Sequence, residues 1–277
     1  MELYNRVSLE CSKLITQRYS TSFTLGIQTL DQSLHLPIYG IYGYVRCADE
    51  IVDTFHGYDK EKLLKDFRQQ TYEALQMKIS TNPVLQAFQL VVNEYKIDLE
   101  LIDAFLDSME MDLHKQNYKT ESYETYIYGS AEVVGLMCLK VFCKGNDAEY
   151  QRLKEPARKL GAAFQKVNFL RDMGSDFEER GRVYFPDVYY ENFDSQAKVL
   201  IEKDIEKDFR DAYKGIVELP REARLGVYLA YKYYIKLFEK IRRTPSNQLL
   251  GSRVRVPNTR KMILLVSSYF KHRMHFI

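Results

Sequence analysis

Two groups of oxygen-bearing side chains recur at a spacing of four residues in this chain. Asp49 and Asp53 form the first group, and Asn168, Asp172 and Asp176 form the second. Residues four apart share one face of a helix, where like charges repel and weaken it. Two such groups on otherwise apolar helices suggest that a positive ion lies between them. Mg²⁺ prefers oxygen ligands and keeps positions open for water and phosphate oxygens.

The surroundings of both groups differ from those of an ordinary charged surface. Most acidic pairs at this spacing are solvated surface charge. Here apolar residues flank both groups, among them Val45, Ile51, Val167 and Leu170. The five histidines show no ligand spacing, which argues against a hydrolytic metal cluster. The pattern alone leaves two interpretations open, a metal–diphosphate site and a solvated acidic face.

Two arginines next to the acidic groups could bind phosphate. Arg46 lies one turn before Asp49, and Arg171 lies beside Asp172. The planar guanidinium group matches the geometry of phosphate oxygens. Gln165, one turn before Asn168, extends the second line of polar side chains.

Composition restricts the class of protein. The chain has 277 residues, is 45% hydrophobic and carries a formal charge of only +2, which gives no electrostatic case for a nucleic-acid partner. The four cysteines form no CxxC pair, and no apolar signal segment or membrane-spanning stretch is visible. We expect a soluble, cytoplasmic protein that could contact the inner face of the membrane peripherally.

Helical periodicity dominates the sequence, and no run alternates as a strand would. We expect an all-α fold, a single domain over residues 1–277 and a cavity between packed helices. Gly174 and Gly181 are expected to loosen the end of the helix that carries Gln165–Asp176, with a loop over 178–186. The predicted helices are Leu3–Arg18, Asp31–Phe55, Asp59–Lys78, Pro83–Tyr95, Asp98–Leu113, Glu121–Phe142, one that begins after Asn146, Ser195–Leu219, Arg221–Arg243 and Pro257–Lys271.

A hydroxyl-rich break follows the first helix. Tyr19–Phe23 contains Ser20, Thr21 and Ser22 in succession. Such a run is typical of a helix stop and N-cap. It could also supply hydrogen-bond donors to an anion.

Several segments together resemble the squalene and phytoene synthase family, and among its members most closely the bacterial phytoene synthases. The resemblance covers nearly the whole chain, and its most specific part is the second acidic motif with the loop that follows. The matching segments are Tyr19–Phe23, Asp49–Asp53, Tyr126–Ala131 with Gly135, Asn168–Asp176 and Arg180–Pro186.

The resemblance implies an isoprenoid synthase fold that joins two allylic diphosphates head to head. It implies Mg²⁺, with Mn²⁺ as an alternative, bound by Asp49, Asp53, Asn168, Asp172 and Asp176. The four aspartates, Tyr128 and Tyr184 match catalytic positions. The positions that match diphosphate or substrate contacts are Tyr19, Ser20, Thr21, Ser22, Tyr42, Arg46, Gln165, Arg171, Arg182, Tyr234 and Arg253.

Two positions depart from the family pattern. Glu50 stands where many relatives have Asp, and Tyr19 stands where some carry a basic residue.

Tyr234 lies among other tyrosines that could simply pack. Arg253 lies in a basic run that could be a solvated face or a membrane contact.

The expected activity is phytoene synthesis from two geranylgeranyl diphosphates. The same chemistry on farnesyl diphosphate is the nearest alternative, and a non-catalytic lipid-binding or assembly protein is another. Phe23, Val134 and Ala163 are expected to line the cavity and influence the choice of substrate. No glycine-rich nucleotide fingerprint is visible, so no nicotinamide cofactor is expected. The sequence leaves the oligomeric state open.

Overall fold

All regular structure in the described part of the chain is helical. The computed structural model describes residues 1–114, 120–180, 184–186 and 193–251, and within these ranges the all-α prediction is confirmed. The helices are α1 (Glu2–Tyr19), α2 (Thr21–Gln28), α3 (Gln32–Asp53), α4 (Lys60–Met77), α5 (Pro83–Tyr95), α6 (Leu99–His114), α7 (Thr120–Ile127), a π-helical turn (Tyr128–Glu132), α8 (Val133–Phe142), α9 (Asp147–Arg180), α10 (Ser195–Ile216), α11 (Arg221–Arg243) and α12 (Ser246–Gly251).

Side-chain caps begin several of the predicted helices. The carboxylates of Asp31 and Asp59 each accept a hydrogen bond of 3.0 Å from a backbone amide in the first turn, as does the Asn82 amide oxygen. Asn146 accepts one of 3.2 Å from the amide of Glu149 and so begins α9. Each cap satisfies a backbone donor that lacks a partner within the helix. These local signals explain why the predicted starts agree with the structure.

The segment predicted as one helix over Glu121–Phe142 is divided by the π-helical turn. Gly129 lies in this turn against α6, where an added Cβ would come within 2.3 Å of the Ala104 carbonyl oxygen. The wider turn therefore lies where its backbone closely approaches that of α6. Helical periodicity could not predict it, because the contact comes from a distant segment.

The hydroxyl-rich break occurs at Ser20 and is shorter than expected. Ser20 accepts a hydrogen bond from the Phe23 amide at 3.2 Å and caps α2, a helix that the sequence did not predict. The capping interpretation of the break is therefore confirmed. Helix α12 was also missed, and the helix predicted over Pro257–Lys271 lies outside the described residues.

Helix α9 continues beyond its predicted end. It remains helical through Arg180, so the expected loop does not begin at Glu178. Gly174 does not loosen the helix; its Cα packs against α12, where a Cβ would lie 2.1 Å from the Leu250 carbonyl oxygen. Close packing explains this glycine. Gly181 lies outside the described residues.

Two apolar cores share α9. The first contains the buried faces of α3 to α6 and α8, and it includes Leu153 of α9. The second packs α9 against α10 and α11, and it includes Val167 and Leu170. Glycines bring helices together in the first core: Gly43 lies so near Ser12 of α1 that a Cβ would be 2.7 Å from the serine Oγ. Helix α9 therefore joins both halves of the structure.

The approach at Gly129 allows a test of this packing. Gly129→Ala should lower the free energy of unfolding by roughly 1–3 kcal/mol, because the new methyl group meets the Ala104 backbone. Urea denaturation followed by circular dichroism would measure the change. Gly26→Ala is a matched control, since its Cβ would meet nothing nearer than 3.9 Å. Equal stability of the two variants would contradict the close approach.

Candidate active site

A large apolar cavity lies between the helices. Its volume is about 320 Å³, within the range of small-molecule sites. Every third or fourth residue of α9 from Leu153 to Asn168 lines it, as do Ile38–Val45 of α3 at similar spacing. The α9 stripe extends over roughly 22 Å at the helical rise. The cavity is therefore long, and most of its wall is hydrocarbon.

The register of the opposite wall follows from two close contacts. The π-helical turn and α8 run antiparallel to α9. A Cβ on Gly161 would lie 2.7 Å from the Ala131 carbonyl oxygen, and one on Gly135 would lie 3.2 Å from that of Ala157. Ala131 therefore faces Gly161, nearer the polar end of the cavity, and Gly135 faces Ala157, deeper inside.

Polar side chains gather at one end of the cavity. Tyr42, Gln165, Asn168 and Tyr234 all line this end. The Tyr234 hydroxyl donates a hydrogen bond of 3.3 Å to Asn168 Oδ1, and its ring stacks on Phe164 at 3.9 Å. Tyr234 is only 5% exposed, so it is a cavity residue. The predicted contacts on α3, α9 and α11 thus meet in one place.

Both tyrosines at this end are neutral donors at physiological pH. Burial raises the pKa of Tyr234 to about 12, although Arg171 and Asn168 act to lower it. Burial also raises the pKa of Tyr42, against the opposite effect of the Ser20 hydroxyl. Desolvation disfavours the phenolate, so both hydroxyls stay protonated. They can donate to anionic or neutral oxygens without adding charge.

The first acidic group is paired with the arginine predicted beside it. Arg46 forms an ion pair with Glu50 and lies 3.8 Å from Asp49, with its guanidinium 4.4 Å above the Tyr19 ring. Its Nε is buried and has no hydrogen-bond partner. An unsatisfied buried donor is unfavourable, so this nitrogen would gain from an additional acceptor. Asp53 lies one turn beyond Asp49.

The second acidic group carries its own arginine in the same way. Arg171 binds Asp172 through two parallel hydrogen bonds of 2.9 and 2.5 Å. Burial acts to lower the pKa of Arg171, but the hydrogen bond and charge of Asp172 raise it overall. Asp172 is 17% exposed, and Asp176 one turn later is buried. Neutralisation by arginine allows this charge to remain near an apolar cavity.

The structure does not draw the two acidic groups into one cluster. Across residues 1–114, 120–180, 184–186 and 193–251, no three histidine, cysteine, aspartate or glutamate side chains lie close enough together to hold a metal ion. The donors are nonetheless all oxygens, and Mg²⁺ commonly takes one or two carboxylates and completes its shell with water and phosphate oxygens. The residues therefore fit Mg²⁺ in combination with a phosphate ligand.

The remaining predicted residues lie apart from the cavity wall or outside the described residues. Tyr128 is half-buried in the π-helical turn, with the Arg158 guanidinium 5.3 Å from its ring. Tyr184 is buried and stacks on Phe169 at 3.9 Å. Thr21 and Ser22 lie in the first turn of α2. Arg182 and Arg253 lie outside the described residues.

Two of the three residues expected to influence substrate choice line the cavity, and the third does not. Phe23 and Val134 line the cavity as expected. Ala163 does not; it is fully buried in the second core, because it lies on the opposite side of α9. An ion pair of 2.7 Å between Arg158 and Glu132, which supports the π-helical turn, was not predicted from the sequence. The i,i+26 separation of this pair leaves no local signal.

No helix in the described ranges has the length and apolar character needed to cross a bilayer.

Comparisons with known proteins agree with this geometry. The profile of the family described as Squalene/phytoene synthase matches residues 16–260. The chain is 27% identical to phytoene synthase 1, chloroplastic, of Solanum lycopersicum, over 98% of this chain and 68% of that protein. It is 28% identical to the 15-cis-phytoene synthase of Synechocystis, over 95% of this chain and 84% of that protein.

Solved structures share the fold. A dehydrosqualene synthase in complex with a ligand superposes with a TM-score of 0.82 at 22% identity, over 98% of both chains. The squalene synthase HpnC of Alicyclobacillus acidocaldarius gives 0.76 at 19% identity, over 87% of this chain and 95% of that chain. The profile match over most of the sequence, together with this all-α isoprenoid synthase fold, shows that the chain belongs to the squalene/phytoene synthase family and is an enzyme of the prenyltransferase type.

Proposed function

We propose that the protein is a phytoene synthase acting in carotenoid biosynthesis, with residues 1–277 forming one catalytic domain. It joins two geranylgeranyl diphosphates head to head through a cyclopropyl (prephytoene) diphosphate and releases diphosphate. One observation carries the proposal: a long apolar cavity ends in polar side chains, and both acidic groups continue beyond that end. Such a site suits a ligand with a hydrocarbon tail and a charged head.

The polar end would bind the diphosphate. Arg46 has an unpartnered Nε, and Arg171 carries a forked guanidinium that can exchange a carboxylate for phosphate oxygens. Asp49, Asp53, Asn168, Asp172 and Asp176 would hold Mg²⁺, which when bound neutralises charge on the departing diphosphate. Tyr42, Gln165 and Tyr234 would orient the head group by hydrogen bonds. The serines and threonine at the start of α2, Tyr19, Arg182 and Arg253 are proposed as further contacts.

The apolar wall would surround the prenyl chains and protect the allylic cation from water. Loss of diphosphate leaves an allylic cation, which the double bond of the second chain attacks. Water would quench that cation, and a wall of hydrocarbon side chains excludes water. The neutral hydroxyls of Tyr42 and Tyr234 add dipoles without a competing nucleophilic anion. A catalytic role for Tyr128 and Tyr184 is proposed from the family resemblance alone, since both lie apart from the cavity wall.

The proposed role of Asp172 can be tested directly. Asp172→Ala should reduce kcat/KM by roughly 100-fold or more, because a group that stabilises the leaving diphosphate is lost. Product formation from geranylgeranyl diphosphate, measured by chromatography and mass spectrometry, would report the change. The exposed Asp66 on α4 provides a matched control, since Asp66→Ala removes the same charge far from the cavity. Wild-type turnover by a folded Asp172→Ala protein would contradict the role.

The metal requirement gives a second expected outcome. A chelator should abolish turnover, and Mg²⁺ should restore it, since the proposed ligands are all oxygens. Mn²⁺ is the alternative to compare at equal concentration. Activity that survives exhaustive chelation would argue against metal-assisted departure of diphosphate. Circular dichroism of the chelated protein distinguishes loss of metal from loss of fold.

The choice of substrate supplies a third test. Purified protein given geranylgeranyl or farnesyl diphosphate separately should form a 40-carbon product from the former in preference. The support is that named relatives from Solanum and Synechocystis are phytoene synthases. Adding NADPH should leave the product unchanged. A 30-carbon product alone would reject geranylgeranyl diphosphate as substrate and favour the farnesyl alternative.

A further inference from the structure

One hydroxyl in the cavity wall has no hydrogen-bond partner among the residues that the structure describes. Ser130 lines the cavity, and its Oγ is buried and unpartnered. A buried polar group without a partner is unfavourable, so its presence calls for a ligand, a water molecule or another explanation. The surrounding wall is largely hydrocarbon, which makes this hydroxyl distinct from its neighbours.

Some buried hydroxyls on helices of this chain donate a hydrogen bond to a carbonyl of the preceding turn. Thr16 donates to the Ser12 carbonyl at 2.9 Å, and Thr71 donates to that of Phe67 at 2.8 Å. Ser130 instead lies in the π-helical turn, where the Val133 amide bonds to the carbonyl five residues earlier. No such bond from the Ser130 hydroxyl to the preceding turn occurs among the described residues. Such turns occur frequently at functional sites.

Packing explains the unpartnered hydroxyl of Ser12 but not that of Ser130. Ser12 also has a buried, unpartnered hydroxyl. Its side chain, however, fills the contact with Gly43, where a Cβ would lie 2.7 Å from the Ser12 Oγ. Ser12 therefore serves the α1–α3 packing, whereas Ser130 faces a cavity.

The register of the π-helical turn against α9 fixes the position of Ser130 along the cavity. Ala131 faces Gly161, so Ser130 lies at the level of Ala162. Side chains lean toward the N-terminus of their own helix. Because the two segments are antiparallel, Ser130 leans toward the polar end of the cavity, and Gln165 leans back toward Gly161. The serine hydroxyl and the Gln165 amide therefore lie at about the same level.

We propose that Ser130 is a substrate-binding residue whose hydroxyl donates a hydrogen bond to a phosphate oxygen of a bound prenyl diphosphate. The assignment rests on the proposed function, since the diphosphate is the part of that substrate with acceptor oxygens. It deepens that function by adding a neutral donor where the apolar wall meets the polar end. The donor adds no charge to a cavity in which a carbocation forms.

Binding, measured apart from turnover, tests the assignment. The probes are geranylgeranyl thiodiphosphate, whose sulfur bridge resists ionisation, in the presence of Mg²⁺, and uncharged geranylgeraniol. Ser130→Ala should weaken thiodiphosphate binding about 10-fold while changing geranylgeraniol binding less than about 2-fold, because a hydrogen bond to a charged group is lost. Ser130→Thr retains the hydroxyl and should retain affinity. Val134→Ala, one turn along the same wall, should weaken both ligands alike.

Four results would overturn the assignment. Unchanged thiodiphosphate affinity in Ser130→Ala would show that water satisfies the hydroxyl. Equal loss for both ligands would identify a packing role. A lower unfolding temperature of ligand-free Ser130→Ala would reveal a partner within the protein, whereas an equal or higher temperature supports the proposal. Failure of the wild type to bind the thiodiphosphate would overturn the proposed function itself, and this assignment with it.

Discussion

Negative charge at the end of an apolar cavity is the constraint on which the rest of the structure depends. Carboxylates near low-dielectric surroundings are unfavourable unless they are paired. Arg46 and Arg171 each stand on the same helix as the carboxylates they bind. Each acidic group therefore has an arginine on its own helix that offsets part of its charge. The space between α3 and α9 can stay open for a ligand whose phosphates compete for the same guanidinium groups.

Helix α9 carries apolar side chains on its cavity face and charged side chains on other faces. Its cavity face is apolar until Gln165, while other faces make ionic contacts. Lys166 binds Asp208 of α10 at 2.7 Å, and Arg158 binds Glu132 at the same distance. These pairs are partly shielded from water and have geometry good enough to offset part of their desolvation. They attach α9 to its neighbours from outside, so the cavity wall needs no polar group to hold it in place.

Aromatic stacking supports the polar end from behind. Phe169 stacks on Tyr184 at 3.9 Å, and the Tyr126 ring lies against both of them. The Tyr126 hydroxyl donates to the buried Asp112 carboxylate at 2.8 Å. Phe169 is adjacent to Asn168, whose side chain faces the cavity. The aromatic stack on one side of α9 thus limits the movement of Asn168, whose side-chain oxygen lies on the other side. Large planar rings lose little conformational entropy when packed, which suits them to this role.

The sequence by itself determined the helical class, most helix starts and the identity of the charged residues, because caps and periodicity act over a few residues. It also indicated Arg46 and Arg171 as phosphate contacts beside the two acidic groups, since these neighbours are local in the chain, but not the ion pairs that they form. Only the tertiary structure decided the π-helical turn at Gly129, the packing role of Gly174 and the position of Ala163 outside the cavity. These features depend on the approach of distant backbones and on which side of a helix meets a neighbour. Residue spacing defines a helix face, but only packing decides whether that face meets a cavity, a core or solvent.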